Sequence, residues 1–286
     1  MKKSYRLSFL EFKNCEEIIR SFRFRDREYD LDRSFADACN AILNNLDNYN
    51  FSFEKRTSTK IIFIVGLPQA GKSSLERMLS TDTQFKCYDE IYDLSEMFEE
   101  LIGPDGITYK YPEYLNKLSE KIYPSMRSDF WRRLKIKGVD TDKVITNTMP
   151  VNFLYIPLLL KMLPNCKIIW CHRQFTNHLT CLYSKYFKHS YYNFTNDTNE
   201  LLETYKIYYQ VYNFYKSKIP DGFIDVQFEK LIYNPEIELQ RVLNYINIDD
   251  IDTNQIINKN KDYLNLLKFE DYRLKYYLPY LPEFLD

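Results

Sequence analysis

The chain has 286 residues, enough for one large domain or one domain with a small appendage. Lys and Arg total 39 against 40 Asp and Glu, and no basic run stands out, so a nucleic-acid partner held by bulk charge is excluded. The opening MKKSYRLSFLEFKN lacks a secretory apolar core, and no apolar run approaches the ~18 residues of a membrane span, so a cytoplasmic protein with no membrane partner is expected.

Residues 1–58 read as a helical, polar N-terminal segment, with SFADACNAILNNLDNYN an amphipathic helix capped by Ser34. FSFEKRTSTK then reads as a connector into a main domain over 59–286. From Lys60 the pattern becomes short apolar strands separated by helical stretches. The expected strands are KIIFIVG (60–66), FKCY (85–88), KVITNT (143–148), KIIWCHR (167–173) and GFIDVQF (222–228). Helical patterns between them include SLERMLS, EIYDLSEMFEEL, NKLSEKIYPSMRSDFWRRLK and PVNFLYIPLLLKML, the last interrupted or kinked at Pro157. Strands alternating with helices predict an open parallel sheet flanked by helices, an α/β fold that binds ligands outside the carboxyl ends of its strands. The tail from Asp249 reads as helical.

Several side-chain groups have plain structural readings. Tyr205, Tyr208, Tyr212 and Tyr215 follow helical spacing and predict a core-facing stripe. The six cysteines form no C-x-x-C pair, and Cys166 and Cys171 would face opposite sides of one strand as buried thiols. Three histidines with no i, i+4 pair give no metal-binding pattern. The sequons at Asn50, Asn193 and Asn196 read as products of an Asn-rich composition.

GLPQAGKSS (66–74) carries the chemistry. Its first eight residues fit G-x-x-x-x-G-K-[ST], between a strand and a helix, where backbone N–H groups, the helix N-terminus and Lys72 converge on a phosphate. A nucleotide hydrolase also needs an acid for Mg²⁺ at a strand end. KVITNT ends in Asn147 and Thr148, KIIWCHR ends in Arg173, and Asp225 and Glu229 are poorly placed for that role. A basic residue where the acid belongs points to a second phosphate.

Three segments in order make the chain resemble the sulfotransferase family, nearest its tetratricopeptide-associated bacterial type and the tyrosylprotein sulfotransferases. They are IFIVGLPQAGKSSLERML, TNTMPVNFLYIPLLLKMLPNCKIIWCHR and IDVQFEKLIYNPEIELQRVLNYINI, within a resemblance running from about Tyr29 to the C-terminus. The resemblance implies 3′-phosphoadenosine 5′-phosphosulfate (PAPS) as donor, adenosine 3′,5′-bisphosphate (PAP) as product, and no metal. It implies that the loop of Gly66, Leu67, Pro68, Gln69, Ala70, Gly71, Lys72, Ser73 and Ser74 cradles the 5′-phosphosulfate. Arg173 matches the 3′-phosphate arginine, Cys181 falls on a serine for that phosphate, and Lys185 and Lys268 fall on or near further basic positions. Phe228 stands at a donor-site tyrosine, and Glu90, beside Asp89, falls on the catalytic base.

Departures accompany the matches. Gln69 occupies the position of a charge-stabilising Arg or Lys, Thr148 replaces a Lys, and Lys72 stands where threonine is usual. Lys72 is therefore expected to supply the lost charge in catalysis, alongside Glu90. The plain alternatives are a solvated first-turn carboxylate at Glu90 and a salt-bridged arginine at 173. His172 and His178 read as packing or adenosine neighbours rather than bases. The expected acceptor is the hydroxyl or amine of a small metabolite. An ATP- or GTP-dependent kinase with Mg²⁺ and a catalytically inactive PAPS- or PAP-binding protein are the rival readings.

Overall fold

The computed structural model describes residues 35–54, 58–88, 90–91, 93–102, 106–187, 189–248 and 250–281. In chain order these form α1 (Phe35–Asn45), β1 (Ile61–Val65), α2 (Lys72–Leu79), β2 (Phe85–Cys87), α3 (Asp93–Phe98), β3 (Glu100–Ile102) and β4 (Thr108–Lys110). There follow α4 (Tyr123–Ile136), β5 (Val144–Asn147), α5 (Ile156–Met162), β6 (Cys166–His172), α6 (Phe175–Tyr183) and α7 (Thr198–Lys218). The chain continues through β7 (Ile224–Gln227), α8 (Phe228–Tyr233), α9 (Pro235–Ile246), α10 (Thr253–Lys259) and α11 (Lys261–Leu274).

The main sheet has five strands in the order β2-β5-β1-β6-β7. All its pairings are parallel, with β1 and β6 in register from Ile61 opposite Cys166 to Val65 opposite Trp170. These are the five strands predicted from the apolar runs. Helices cover both faces, so successive residues of one strand enter different cores. Ile61, Phe63 and Val65 join an aromatic-rich core with Cys166, Ile168 and Trp170. Ile62 and Ile64 join a mainly aliphatic core with Ile169 and Cys171. Cys166 and Cys171 thus lie on opposite faces as expected, and burial pushes both thiols up to about 12. On the aromatic side Phe153, Trp170 and Tyr208 pack as a mutual trio, with ring centroids 5.2–5.7 Å apart. Tyr205, Tyr208 and Tyr215 are buried in this core and Tyr212 is half-buried, as the helical stripe predicts.

Local departures from expectation have local causes. Helix α1 ends at Asn45, whose side-chain amide donates back to the Ala41 carbonyl, and residues 46–54 run without helix. The proposed Ser34 cap lies outside the described residues. In EIYDLSEMFEEL the helix covers only Asp93–Phe98, because residues 100–102 pair with β4 instead. That hairpin places Glu100 opposite Lys110 and Leu101 opposite Tyr109. NKLSEKIYPSMRSDFWRRLK becomes α-helical only at Tyr123, after 3₁₀ turns at Leu115–Lys117 and Glu120–Ile122. Pro157 does interrupt its segment: Pro150–Tyr155 is 3₁₀, and α5 begins with Pro157 in its first turn. Among the described residues no helix is long and apolar enough to cross a membrane.

Candidate active site

Strand β1 delivers the chain to the glycine loop 66–74 at the carboxyl end of the sheet, with β5 on one side and β6 on the other. Such a reversal of strand order opens a crevice for ligands. Two glycines make the loop possible. Gly66 has φ +131°, and a Cβ there would lie 2.3 Å from the Cys171 carbonyl oxygen. Gly71 has φ +91°, and its Cβ would lie 2.5 Å from Phe228 Cδ2. Between them Gln69 also takes a left-handed φ of 63°. Helix α2 starts at Lys72, so its first backbone N–H groups lack intrahelical acceptors and carry the positive end of the helix dipole.

Lys72 is buried, and its Nζ donates to the Leu67 carbonyl at 2.8 Å, folding the side chain back across the loop. Burial pushes the ammonium down to about 8, against the opposing pull of Cys171 and Glu90. The loop is also fastened from below. His178 Nε2 lies 2.9 Å from the Pro68 carbonyl oxygen, and His178 Nδ1 lies 3.2 Å from the Tyr205 hydroxyl. Beneath the loop, Trp170 Nε1 donates to the Tyr208 hydroxyl at 2.6 Å. On α2, Ser74 Oγ lies 3.0 Å from the Tyr263 hydroxyl, and Glu76 accepts from the Thr146 hydroxyl on β5.

The second cationic position follows β6. Arg173 Nη2 donates to Asp271 Oδ1 at 2.7 Å and Nη1 to Cys181 Sγ at 3.0 Å. Its Nε is 3.6 Å from Glu229, and its guanidinium carbon is 4.3 Å from the Phe228 ring centroid. Arg173, Cys181, Phe228 and Lys185 line one cavity of about 550 Å³ together with Gln69 and Gly71 through Ser74. Helix α11 closes it with Tyr263, Leu267, Glu270, Arg273 and Leu274. Lys268 lies on that helix but outside the lining, whereas Arg273, absent from the sequence-derived site, contributes the charge.

A second cavity, of about 640 Å³, also borders the loop. Its wall includes Pro68, Glu90, Glu99, Tyr111, Tyr155, Phe187 and His189. It shares Gln69, Lys72 and Ser73 with the first cavity. Glu90 is exposed in the loop ahead of α3. The next residue, Ile91, accepts a hydrogen bond through its carbonyl from Asn147 Nδ2 at 3.3 Å. Asn147 Oδ1 in turn accepts from the Met149 amide at 2.9 Å and from Asn152 Nδ2 at 3.1 Å. The residue that ends β5 therefore locates the segment carrying Glu90.

A family model described as the sulfotransferase family matches residues 62–252. The chain belongs to the sulfotransferase family. No curated protein matches it. Among solved structures, it is similar to a sulfotransferase from Mycobacterium avium at 12% identity, covering 73% of this chain and 69% of that one, with a TM-score of 0.46. It is also similar to the sulfotransferase domain of the Synechococcus PCC 7002 olefin synthase, at 14% identity, 72% and 80% coverage and a TM-score of 0.44. A mouse sulfotransferase complexed with PAP is similar at 14% identity, 77% and 69% coverage and a TM-score of 0.42.

At the loop, Gly71, Lys72, Ser73 and Ser74 line the first cavity, where the N-terminus of α2 and the Lys72 ammonium suit an anionic group. At the other cationic position the guanidinium of Arg173 already has a carboxylate partner in Asp271. Asp225 is turned toward α7, where it accepts from Lys216 at 2.6 Å and Tyr212 at 2.9 Å. His172 lines neither shared cavity; it borders a third, with Trp170, Phe175 and Tyr205, and burial lowers its pKa. Asp89 lies outside the described residues.

Proposed function

We propose that the chain transfers the sulfuryl group of PAPS to a hydroxyl or amine of a small-molecule acceptor. One observation carries this reading: two cavities share Gln69, Lys72 and Ser73 in their walls, and Glu90, whose charge acts on Lys72, lines the second. A group-transfer enzyme needs that arrangement, with donor and acceptor brought to one set of charge-stabilising groups.

The donor supplies an activated sulfuryl group. The N-terminus of α2, the loop amides and Lys72 bind its 5′ end and stabilise negative charge where it develops. Lys72 thereby takes the part of the basic residue missing at Gln69. Glu90 receives the proton of the acceptor's nucleophilic atom. Phe228 and Arg173 form the wall against which the remainder of the nucleotide rests. The aromatic side chains of the second cavity favour a compact acceptor with an apolar body over a polysaccharide. A cytoplasmic setting with no nucleic-acid or membrane partner fits the balanced charge of 39 basic and 40 acidic residues.

The test is thermal unfolding with PAP and, separately, with ATP and Mg²⁺, followed by assays with sulfur-labelled PAPS and a panel of hydroxylated and amino metabolites. PAP at one hundred times its Kd should add about 2.7 kcal/mol of stability. Stabilisation by ATP with Mg²⁺ alone would overturn the reading in favour of a nucleotide kinase or hydrolase. Binding of PAP with no transfer to any acceptor would leave a donor-binding protein.

A further inference from the structure

Arg173 and Asp271 are each buried, with 8% of either side chain exposed, and they form a direct ion pair. The Asp271 carboxylate is held from several directions. Oδ1 accepts from Arg173 Nη2 at 2.7 Å and from Asn177 Nδ2 at 3.2 Å, and Oδ2 accepts from the Tyr233 hydroxyl at 3.4 Å. These donors come from the end of β6, from α6 and from α8, so α11 is clamped onto the cavity wall through this one side chain. Arg173 is flanked elsewhere by Cys181 sulfur and by the Phe228 ring, and Glu229 stands 3.6 Å from Nε, a buried N–H that makes no hydrogen bond among the described residues.

Two carboxylates therefore surround the one guanidinium that would attract a 3′-phosphate. A phosphate brought to Arg173 would face Asp271 across the same charge, and like-charge juxtaposition is strongly unfavourable in a buried setting. Pushing Asp271 aside would instead leave a buried carboxylate without its cation. The remaining cations of the cavity are Lys185, which is exposed, and Arg273, which shares the α11 face with Glu270. The loop end of the cavity carries no such internal anion among its lining residues; there Lys72, Ser73 and Ser74 at the start of α2 line the wall.

We propose that Asp271 determines donor specificity by standing in for the 3′-phosphate on Arg173. The chain then holds a 5′-phosphosulfate nucleotide chiefly through its loop and discriminates little for or against a 3′-phosphate. This rests on the sulfuryl-donor reading of the loop and narrows it.

The test is calorimetric titration of the full-length chain with PAP and with adenosine 5′-monophosphate, in the wild type and in Asp271→Asn. The wild type should bind the two nucleotides within about tenfold of each other. Asp271→Asn keeps the side-chain shape and frees Arg173, so it should tighten PAP binding by at least about tenfold and leave the monophosphate unchanged. A wild-type preference for PAP above about tenfold, or an unchanged ratio in a folded Asp271→Asn protein, overturns the proposal. If the variant does not fold, the wild-type ratio alone decides. Binding of neither nucleotide to the wild type would overturn the donor reading itself, which is a different result from tight, PAP-selective binding.

Discussion

His178 Nε2 lies 2.9 Å from the Pro68 carbonyl oxygen, so a buried imidazole on α6 holds the glycine loop to the core. A carbonyl can only accept, so Nε2 carries the hydrogen and Nδ1 accepts from the Tyr205 hydroxyl at 3.2 Å. Burial pushes this histidine down to about 3, which keeps it neutral. Below its ordinary pKa of about 6.5 the unfolded chain takes up a proton that the folded chain refuses. Stability should therefore fall as pH drops from about 6.5 toward 3, by about 1.36 kcal/mol per pH unit at most. Urea unfolding across that window measures the slope. His178→Phe should be less stable at neutral pH by about 1–3 kcal/mol, because the Pro68 carbonyl loses its donor, and its acid slope should be shallower. An unchanged slope in the variant would show that other groups govern it.

Lys72 ties binding to pH in the opposite range. Its ammonium is pushed down to about 8 by burial, and an anion in the loop favours the charged form. Nucleotide binding should then be accompanied by proton uptake above pH 8, with affinity weakening as pH rises by up to about tenfold per unit. Calorimetry in buffers of different ionisation enthalpy detects that proton. Lys72→Met should abolish the uptake and lower the transfer rate by about 10²–10³-fold, the cost of removing one preorganised donor. Transfer at an undiminished rate in Lys72→Met would end the view that this lysine compensates for Gln69.

The glycines offer a steric test. At Gly71 the obstacle to a side chain is Phe228 Cδ2, 2.5 Å from the added Cβ, whereas at Gly66 it is the Cys171 carbonyl oxygen, 2.3 Å away. A phenyl ring can be trimmed and a strand carbonyl cannot. Both Gly→Ala variants should lose nucleotide binding, and both bear a positive-φ strain of about 1–3 kcal/mol. Adding Phe228→Ala should restore part of the binding to Gly71→Ala, and no side-chain trimming should rescue Gly66→Ala. Equal behaviour of the two double variants in thermal unfolding and PAP titration would contradict this account of the loop.

The five sheet strands and the glycine loop between β1 and α2 were legible because each rests on a local pattern: an apolar run bounded by polar residues, or glycines at fixed offsets. The β3–β4 hairpin was not, because its strands are short and largely exposed, and Leu101 continues the helical period of the residues before it. Arg173, Cys181 and Phe228 were placed by resemblance, and the fold does bring them together on one wall. Asp271 was invisible for a different reason. It is a single carboxylate on a charged helix, paired with a residue 98 positions away, and nothing in its neighbourhood distinguishes it from Glu270. Lys268 and Arg273 show the same limit, since a helix of known extent still leaves its rotation about its own axis to tertiary packing. The positions Tyr263, Leu267, Glu270 and Leu274, spaced for one face, were the available signal. Asn147 read only as a missing acid, yet its side chain fixes the turn after β5 and the segment after Glu90.

Glu90 supplies the last prediction. It borders the second cavity but not the first, although both cavities reach Lys72. Removing its charge should therefore impair the acceptor's activation without weakening the nucleotide. Glu90→Gln keeps the shape of the side chain and cannot take a proton, so turnover should fall by about 10²–10⁴-fold while PAP affinity stays within about threefold. Asn147→Ala should act in the same direction but less severely, since it loosens the Ile91 carbonyl rather than removing the base. A parallel loss of PAP binding in Glu90→Gln would mean that this carboxylate shapes the loop through Lys72, and that the acceptor's proton leaves by another route.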